Sequence, residues 1–109
     1  MDPRLPQLLE AAQAARDHAN ADLARHRRRM ADIAHEINAL REETEPTDPT
    51  AYAASGASAS RARWRHRRIC DLNVQLADLR ATAEALENAS ALATARAEVV
   101  ARLSRERMS

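Results

Sequence analysis

Two apolar stripes with heptad spacing lie on either side of Pro46 and Pro49, and this arrangement most constrains the fold. Each stripe advances by alternating steps of three and four residues, the spacing of residues that share one face of a helix. The first stripe comprises Leu5, Leu9, Ala12, Arg16, Ala19, Leu23, His26, Met30, Ile33, Ile37 and Leu40. The second comprises Ala62, Arg65, Ile69, Leu72, Leu76, Leu79, Ala83, Leu86, Ser90, Ala93, Ala97 and Val100. The sequence therefore predicts two long helices, each with one narrow apolar face.

The segment between the stripes predicts a reversal of the chain. Pro46 cannot continue a helix and disfavours helical geometry at the residue before it. Asp48 is a favourable N-cap, and Pro49 suits the first position of a helix. We therefore expect one domain over 1–109, with a helix at about 6–43, a turn at about 44–49 and a helix at about 50–107. Because short loops join antiparallel neighbours, the predicted fold is all-α, two long helices forming an antiparallel coiled-coil hairpin.

The composition favours a thin seam over a thick round core. The chain of 109 residues contains 26 Ala, no Phe, one Trp and one Tyr, and Ala is the best helix former. All 17 basic residues are Arg. GC-rich codon usage is the simpler explanation, and selection for the bidentate contacts that Arg makes better than Lys is the alternative.

A turn centred near Thr47 predicts a register in which facing residue numbers sum to about 95, with a slip of one heptad as the alternative because both stripes share one period. Leu23 then faces Leu72, and Leu9 faces Leu86. The second helix is expected to be the longer one and to overhang the first at its C-terminal end, from Leu92 to Met108. That overhang keeps Leu92, Val99, Val100 and Leu103. Either it frays or another molecule covers it.

Arginines cluster in two blocks, one in each predicted helix. The segment 25–35 carries a net charge of +3 and the segment 61–70 carries +5, and the predicted register places them side by side, with Arg28 near Arg67. Such a belt indicates an acidic partner, because like charges repel at these spacings. A solvated Arg-rich face is the competing interpretation, and nucleic acid ranks third because no readout module is present. Trp64 lies in the belt, either beside the core or as an exposed interface anchor.

No catalytic or metal-binding pattern is apparent, and no cofactor is expected. The four His have no spacing that converges several ligands, and only His26 and His66 could approach each other across the hairpin. Cys70 is expected to be a small packing residue. The segment Met1–Arg4 has no apolar signal-peptide core, and no apolar run reaches the length of about 20 residues that a membrane span needs. A cytoplasmic location is expected.

The layout resembles the FliJ-like stalk proteins of flagellar and related type III export systems. The resemblance is carried by three features: the start Leu5-Pro6-Gln7-Leu8-Leu9, the break Glu45-Pro46-Thr47-Asp48-Pro49, and the segment Arg63-Trp64-Arg65-His66-Arg67-Arg68-Ile69 with the leucines that follow it. It implies a helical hairpin whose terminal end sits in the central hole of a hexameric export ATPase. Leu5, Leu8, Leu9, Val99 and Leu103 would contact that ring. Trp64, Arg28, Arg67 and Arg68 would be free for the export gate or for chaperones.

The leading hypothesis is thus a non-enzymatic coiled-coil adaptor of a flagellar-type export apparatus. It would act in the cytoplasm or at the cytoplasmic face of the inner membrane, touching the membrane only through a complex. A homodimer held by its overhangs is the first alternative, and an Arg-rich rod that binds nucleic acid is the second. The latter predicts a steep loss of affinity with salt.

Overall fold

The computed structural model describes residues 4–43 and 56–108 and contains two helices there. Helix α1 spans Arg4–Glu42 and has 39 residues. Helix α2 spans Ala57–Met108 and has 52 residues. No strand occurs among the described residues. The all-α, two-helix hairpin predicted from the sequence is confirmed, and α2 is the longer helix as expected.

The two apolar stripes are the packed faces of the helices. Every one of their positions is buried or half-buried, including the polar ones at Arg16, His26, Arg65 and Ser90. Heptad spacing alone therefore identified which face of each helix is covered, because a helical side chain shares its face with residues three and four positions away.

Contacts divide the chain into two units, each formed by both helices. One unit, here called the terminal unit, combines Met1–Arg28 with Ala81–Ser109, and the other, the central unit, is Arg29–Arg80. In the central unit, Glu43 contacts Arg61 and Glu36 contacts Arg68. As the residue number falls on α1 it rises on α2, so the helices run antiparallel within this unit.

The central unit contains a cluster of large aliphatic side chains. Its buried members are Ile33, Ile37, Leu40, Leu72 and Leu76, with Met30, Ile69 and Leu79 packed against them. Leu72 is only 1% exposed. Burying such a side chain contributes about 1.5–3 kcal/mol, so this cluster is the main apolar stabilisation of the central unit.

The terminal unit is also antiparallel, but its seam is thinner. Arg27 contacts Glu87, and the Ser90 hydroxyl donates a hydrogen bond to Asn20 Oδ1. Among the residues of this unit that the structure describes, the buried side chains are those of Leu23, Ala83 and Ala97. Two of these three are alanines, which bury little apolar area. The terminal unit therefore gains less from apolar burial than the central unit does.

The predicted register is wrong. It would place Ile33 opposite Ala62 and Leu40 opposite Ser55, whereas the structure groups both side chains with Leu72 and Leu76. The two ion pairs of the central unit have residue numbers that sum to 104, not 95. The observed alignment packs large aliphatic residues on one another instead of opposing them to alanine and serine.

The reversal of the chain lies between α1 and α2. The turn predicted at about 44–49 and the helix start predicted at about residue 50 fall outside the described residues. Gly56 is described and has φ of +72°, outside the right-handed helical region. Its carbonyl accepts a hydrogen bond from the Ser60 N–H at 3.2 Å, so Gly56 occupies the N-cap position of α2.

Candidate protein-binding surface

The start of α1 and the end of α2 together form an apolar groove of about 560 Å³ in the terminal unit. Three alanines, Ala11, Ala12 and Ala95, contribute small side chains to its lining. Leu8 and Val99 stand at its edges and are 54% and 45% exposed. The lining residues are Leu8, Ala11, Ala12, Ala95, Arg96, Val99 and Val100. The groove thus presents large apolar side chains beside small ones, with Arg96 as its only charged member among the described residues.

The predicted contact residues at this end divide between the seam and the surface. Leu5 and Leu9 are half-buried, as expected of stripe positions. Leu8, Val99 and Leu103 are exposed, and Leu103 is 43% exposed. Leu92, which the sequence also placed on this surface, is 51% exposed. The terminal unit therefore leaves several large apolar side chains in contact with solvent.

The prediction that Leu92–Met108 has no partner within the chain is wrong for the greater part of that segment. Ala97 is buried at 2% exposure, and Val99 and Val100 line the groove together with Leu8 and Ala12 of α1. The segment finds a partner because the true register aligns it with the N-terminal turns of α1. The expected free end is instead one wall of a two-helix groove.

The predicted belt of adjoining arginine blocks is also wrong, because acidic residues of the opposite helix face the arginines. Arg61 donates Nε and Nη2 hydrogen bonds to the two carboxylate oxygens of Glu43, at 2.7 and 2.9 Å. Arg68 donates through Nε and Nη2 to Glu36 Oε1, at 3.1 and 3.0 Å. The +5 segment 61–70 thus lies opposite acids of the −4 segment 36–50.

The first arginine block has acidic partners in the terminal unit. Arg27 Nη2 lies 3.3 Å from Glu87 Oε1, and Arg25 pairs with Asp22 one turn earlier on α1. Arg28 and Arg67, expected to be neighbours, are both exposed, and each belongs to a different unit. Of the three arginines predicted to contact a partner, Arg68 forms an ion pair with Glu36, whereas Arg28 and Arg67 are exposed.

Trp64 is a surface residue and not part of the core. It is 42% exposed, and the guanidinium of Arg61 lies over its ring at 4.3 Å from the centroid. This distance is typical of a cation–π contact, which contributes about 0.5–1 kcal/mol at an exposed site. Arg61 therefore engages an aromatic ring and a carboxylate at once.

The pKa of Glu43 is clearly displaced from its ordinary value. The hydrogen bond from Arg61 lowers the pKa of Glu43 below its ordinary value of 4.5, desolvation opposes this, and the positive charges of Arg61 and Arg65 add to the lowering. Glu36 and Glu43 were not singled out from the sequence as partners. The opposite net charges of the segments 36–50 and 61–70 could have identified them, because a register that places these segments side by side is favourable and is the observed one.

Within the described ranges, no group of three or more His, Cys, Asp or Glu could hold a metal ion.

The prediction that Cys70 is a packing residue is wrong: the side chain is exposed, with Sγ 3.7 Å from His66 Nε2. His66 precedes Cys70 by one helical turn, which accounts for the contact. Neither described helix has a stretch apolar enough to cross a membrane.

Comparison of the chain with protein-family models, with curated proteins and with solved structures finds no match. Inferences about its role therefore depend on the geometry of its own surfaces.

Proposed function

We propose that the chain is a non-enzymatic coiled-coil adaptor that binds a helix of a partner protein in the groove of the terminal unit. The observation that carries the proposal is the 560 Å³ groove with Leu8 and Val99 exposed at its edges. Soluble domains rarely expose contiguous apolar surface without a use for it. We therefore assign this surface to binding. Both helices of the hairpin form it, so it needs no separate binding loop.

The shape of the groove favours a helical partner. Two packed helices with alanines between them form a shallow channel, and a third helix can lay its own large side chains over Ala11, Ala12 and Ala95. Recognition of an amphipathic helix by an apolar groove is a recurring mode of peptide binding. Full burial of one Leu or Val side chain contributes about 1.5–3 kcal/mol, so Leu8 and Val99 together supply a substantial part of the affinity.

The resemblance to FliJ-like stalk proteins supplies a specific form of the proposal. In that form the terminal unit is the end that enters a hexameric export ATPase, and the partner helix belongs to a subunit of the ring. The exposed apolar residues at the chain ends support this form. A cytoplasmic location, with membrane contact only through the export complex, belongs to the same proposal, as do the export gate and chaperones as further partners.

Binding to a purified hexameric export ATPase tests the specific form. We expect the chain to co-elute with the ATPase and to raise its rate of ATP hydrolysis. The variant Leu8→Asp/Val99→Asp should lose both effects, because it places two charges in the groove. Val74→Asp is the matched control, since Val74 is 63% exposed and lies in the central unit. It should behave like the wild type, and circular dichroism should show equal helix content in all three proteins.

Two results would count against the proposal at different levels. If the chain neither binds nor stimulates the ATPase, the export role fails, while the adaptor role is still tested by binding of amphipathic model helices to the groove. If Leu8→Asp/Val99→Asp binds such helices as tightly as the wild type does, the groove is not the binding surface.

Self-association is the second candidate, and the exposure of Leu92 and Leu103 in the terminal unit favours it. A second copy could insert these side chains into the alanine-lined channel of the first. Sedimentation equilibrium over a range of concentrations distinguishes the candidates. A dimer that Leu92→Asp/Leu103→Asp converts to a monomer supports self-association, whereas a monomer at all concentrations eliminates it.

A further inference from the structure

A second cleft, of different chemistry, lies in the central unit. It has a volume of about 300 Å³ and is bounded by polar side chains of both helices: Asn38 and Arg41 from α1, Asn73 and Arg80 from α2. Its floor includes Ile37 and Leu76, which belong to the buried aliphatic cluster. The cleft is independent of the terminal groove and of the function proposed for it.

All four polar side chains at this cleft can donate hydrogen bonds, and no acidic residue lines it. Arg41 and Arg80 form no ion pair with any described residue, in contrast to Arg61 and Arg68. Arg provides five N–H donors in a planar fork, and an Asn amide provides two more. The cleft therefore concentrates positive charge and donors without a described acceptor to satisfy them.

The antiparallel order of the helices explains why the two arginines share one cleft. Side chains on a helix lean toward its N-terminus. Arg41 therefore leans back over the turn that contains Ile37, and Arg80 leans back over the turn that contains Leu76. Because the helices run in opposite directions, the two arginines lean toward each other and bracket the cleft from opposite ends.

The rim of donors, with two arginines and two amides, defines a class of ligand. Arg binds carboxylates in bidentate geometry, and such charge-assisted hydrogen bonds are stronger than neutral ones. Ile37 and Leu76 are only 3% and 7% exposed, so the ligand is selected by the arginines and amides of the rim and not by apolar surface. A carboxylate matches these donors in charge and in geometry. We propose that the cleft binds the carboxylate side chain of a glutamate in an acidic peptide segment of a partner.

A titration with a short synthetic peptide followed by NMR tests this proposal. The probe is a capped peptide of alternating Ala and Glu, and its counterpart has Gln in place of each Glu. The signals to follow are the side-chain amides of Asn38 and Asn73, which lie in the cleft. We expect the Glu peptide to shift both signals in a saturable manner and the Gln peptide to shift neither.

Charge-matched variants separate the cleft from general attraction to a basic surface. Arg41→Gln/Arg80→Gln should weaken binding at least ten-fold, which corresponds to about 1.4 kcal/mol. Arg28→Gln/Arg67→Gln removes the same charge from exposed positions outside the cleft and should leave the affinity unchanged. The thermal unfolding of both variants shows whether either is impaired in folding, and an Arg80→Gln single variant tests the cleft if the double variant is.

Three results would overturn the proposal. Equal weakening in both double variants would show attraction to net charge alone. Equal affinity for the Gln peptide would show that the carboxylate is not recognised. Equally tight binding of inorganic phosphate at the same two Asn signals would show that the cleft recognises any anion and not a glutamate side chain. Leu8→Asp/Val99→Asp should bind the Glu peptide normally, so failure of the groove and failure of the cleft are distinguishable.

Discussion

At the scale of single residues, Arg61 connects a carboxylate and an aromatic ring in the central unit. It donates to both oxygens of Glu43 and lies over Trp64, while Arg65 adds positive charge near the same carboxylate. Bidentate geometry fixes the orientation of the guanidinium, because both N–H donors must meet both oxygens. The orientation of Trp64 on the surface is therefore coupled to an ion pair between the helices.

The pH dependence of the Glu43–Arg61 pair is a direct prediction. Because the pKa of Glu43 is lowered in the folded chain, the pair stabilises fully above pH 4.5, and this stabilisation is lost as the pH falls through the folded pKa. The melting temperature of the wild type should exceed that of Glu43→Gln at pH 7, and the difference should shrink below pH 4.5. Thermal melts across this range measure it.

A neighbouring glutamate and the partner arginine supply the controls. Glu42→Gln is the charge-matched control, because it removes one carboxylate next to Glu43 and leaves the Glu43–Arg61 pair intact. Arg61→Gln should raise the pKa of Glu43 toward 4.5, as followed by the chemical shift of its carboxyl carbon. An unchanged pKa in Arg61→Gln would mean that another group sets it.

At the scale of the helices, the sequence predicted the packed faces well, whereas the backbone conformation at Gly56 could not be predicted from it. Steps of three and four residues select one face regardless of which side chains occupy it, so even Arg16 and His26 were placed on the covered face. The start of α2 depends instead on the backbone of one residue. Gly56 adopts a left-handed φ, and a lone Gly in an Ala/Ser-rich segment gives no sign of which conformation it takes.

Replacing Gly56 should destabilise the hairpin through the backbone alone. A Cβ added at Gly56 would meet no atom within 4 Å, so the cost arises from a left-handed φ and not from a steric clash with neighbours. Gly56→Ala should lower the free energy of unfolding by about 1 kcal/mol, whereas Gly56→Asn should cost less because Asn tolerates this conformation. Urea unfolding of both variants measures the difference. Equal losses would contradict a conformational origin.

At the scale of the whole molecule, the stripes could not determine the register. Both stripes share one period, so several alignments match apolar faces equally, and the distribution of large side chains and charges decides among them. The observed alignment packs Ile33 and Ile37 with Leu72 and Leu76, and it opposes Glu36 and Glu43 to Arg68 and Arg61. A prediction that weighted charge and side-chain size would have found it. Neither the groove of the terminal unit nor the cleft of the central unit could be predicted from the sequence, because both depend on this register.

Cross-linking measures the register directly. In a Cys70→Ser background, the pair Glu36→Cys/Arg68→Cys should react rapidly and intramolecularly with a short bismaleimide, because these positions face each other. The pair Glu36→Cys/Ala59→Cys, which the alternative register brings together, should react slowly. Mass spectrometry of dilute protein distinguishes cross-links within a chain from those between chains. Faster reaction of the 36/59 pair would overturn the observed alignment.

The uneven seam has a consequence for the order in which the hairpin closes. Ion pairs of the central unit join residues 18 and 32 positions apart, whereas polar pairs of the terminal unit join residues 60 and 70 apart. Bringing distant residues together costs more chain entropy. The apolar burial that offsets this cost in the terminal unit comes from only two alanines and Leu23. The helices should therefore pair last at the chain ends during folding and separate there first during unfolding. A ligand bound between the chain ends would stabilise the closed hairpin, because it would bind only when this least stable region is closed.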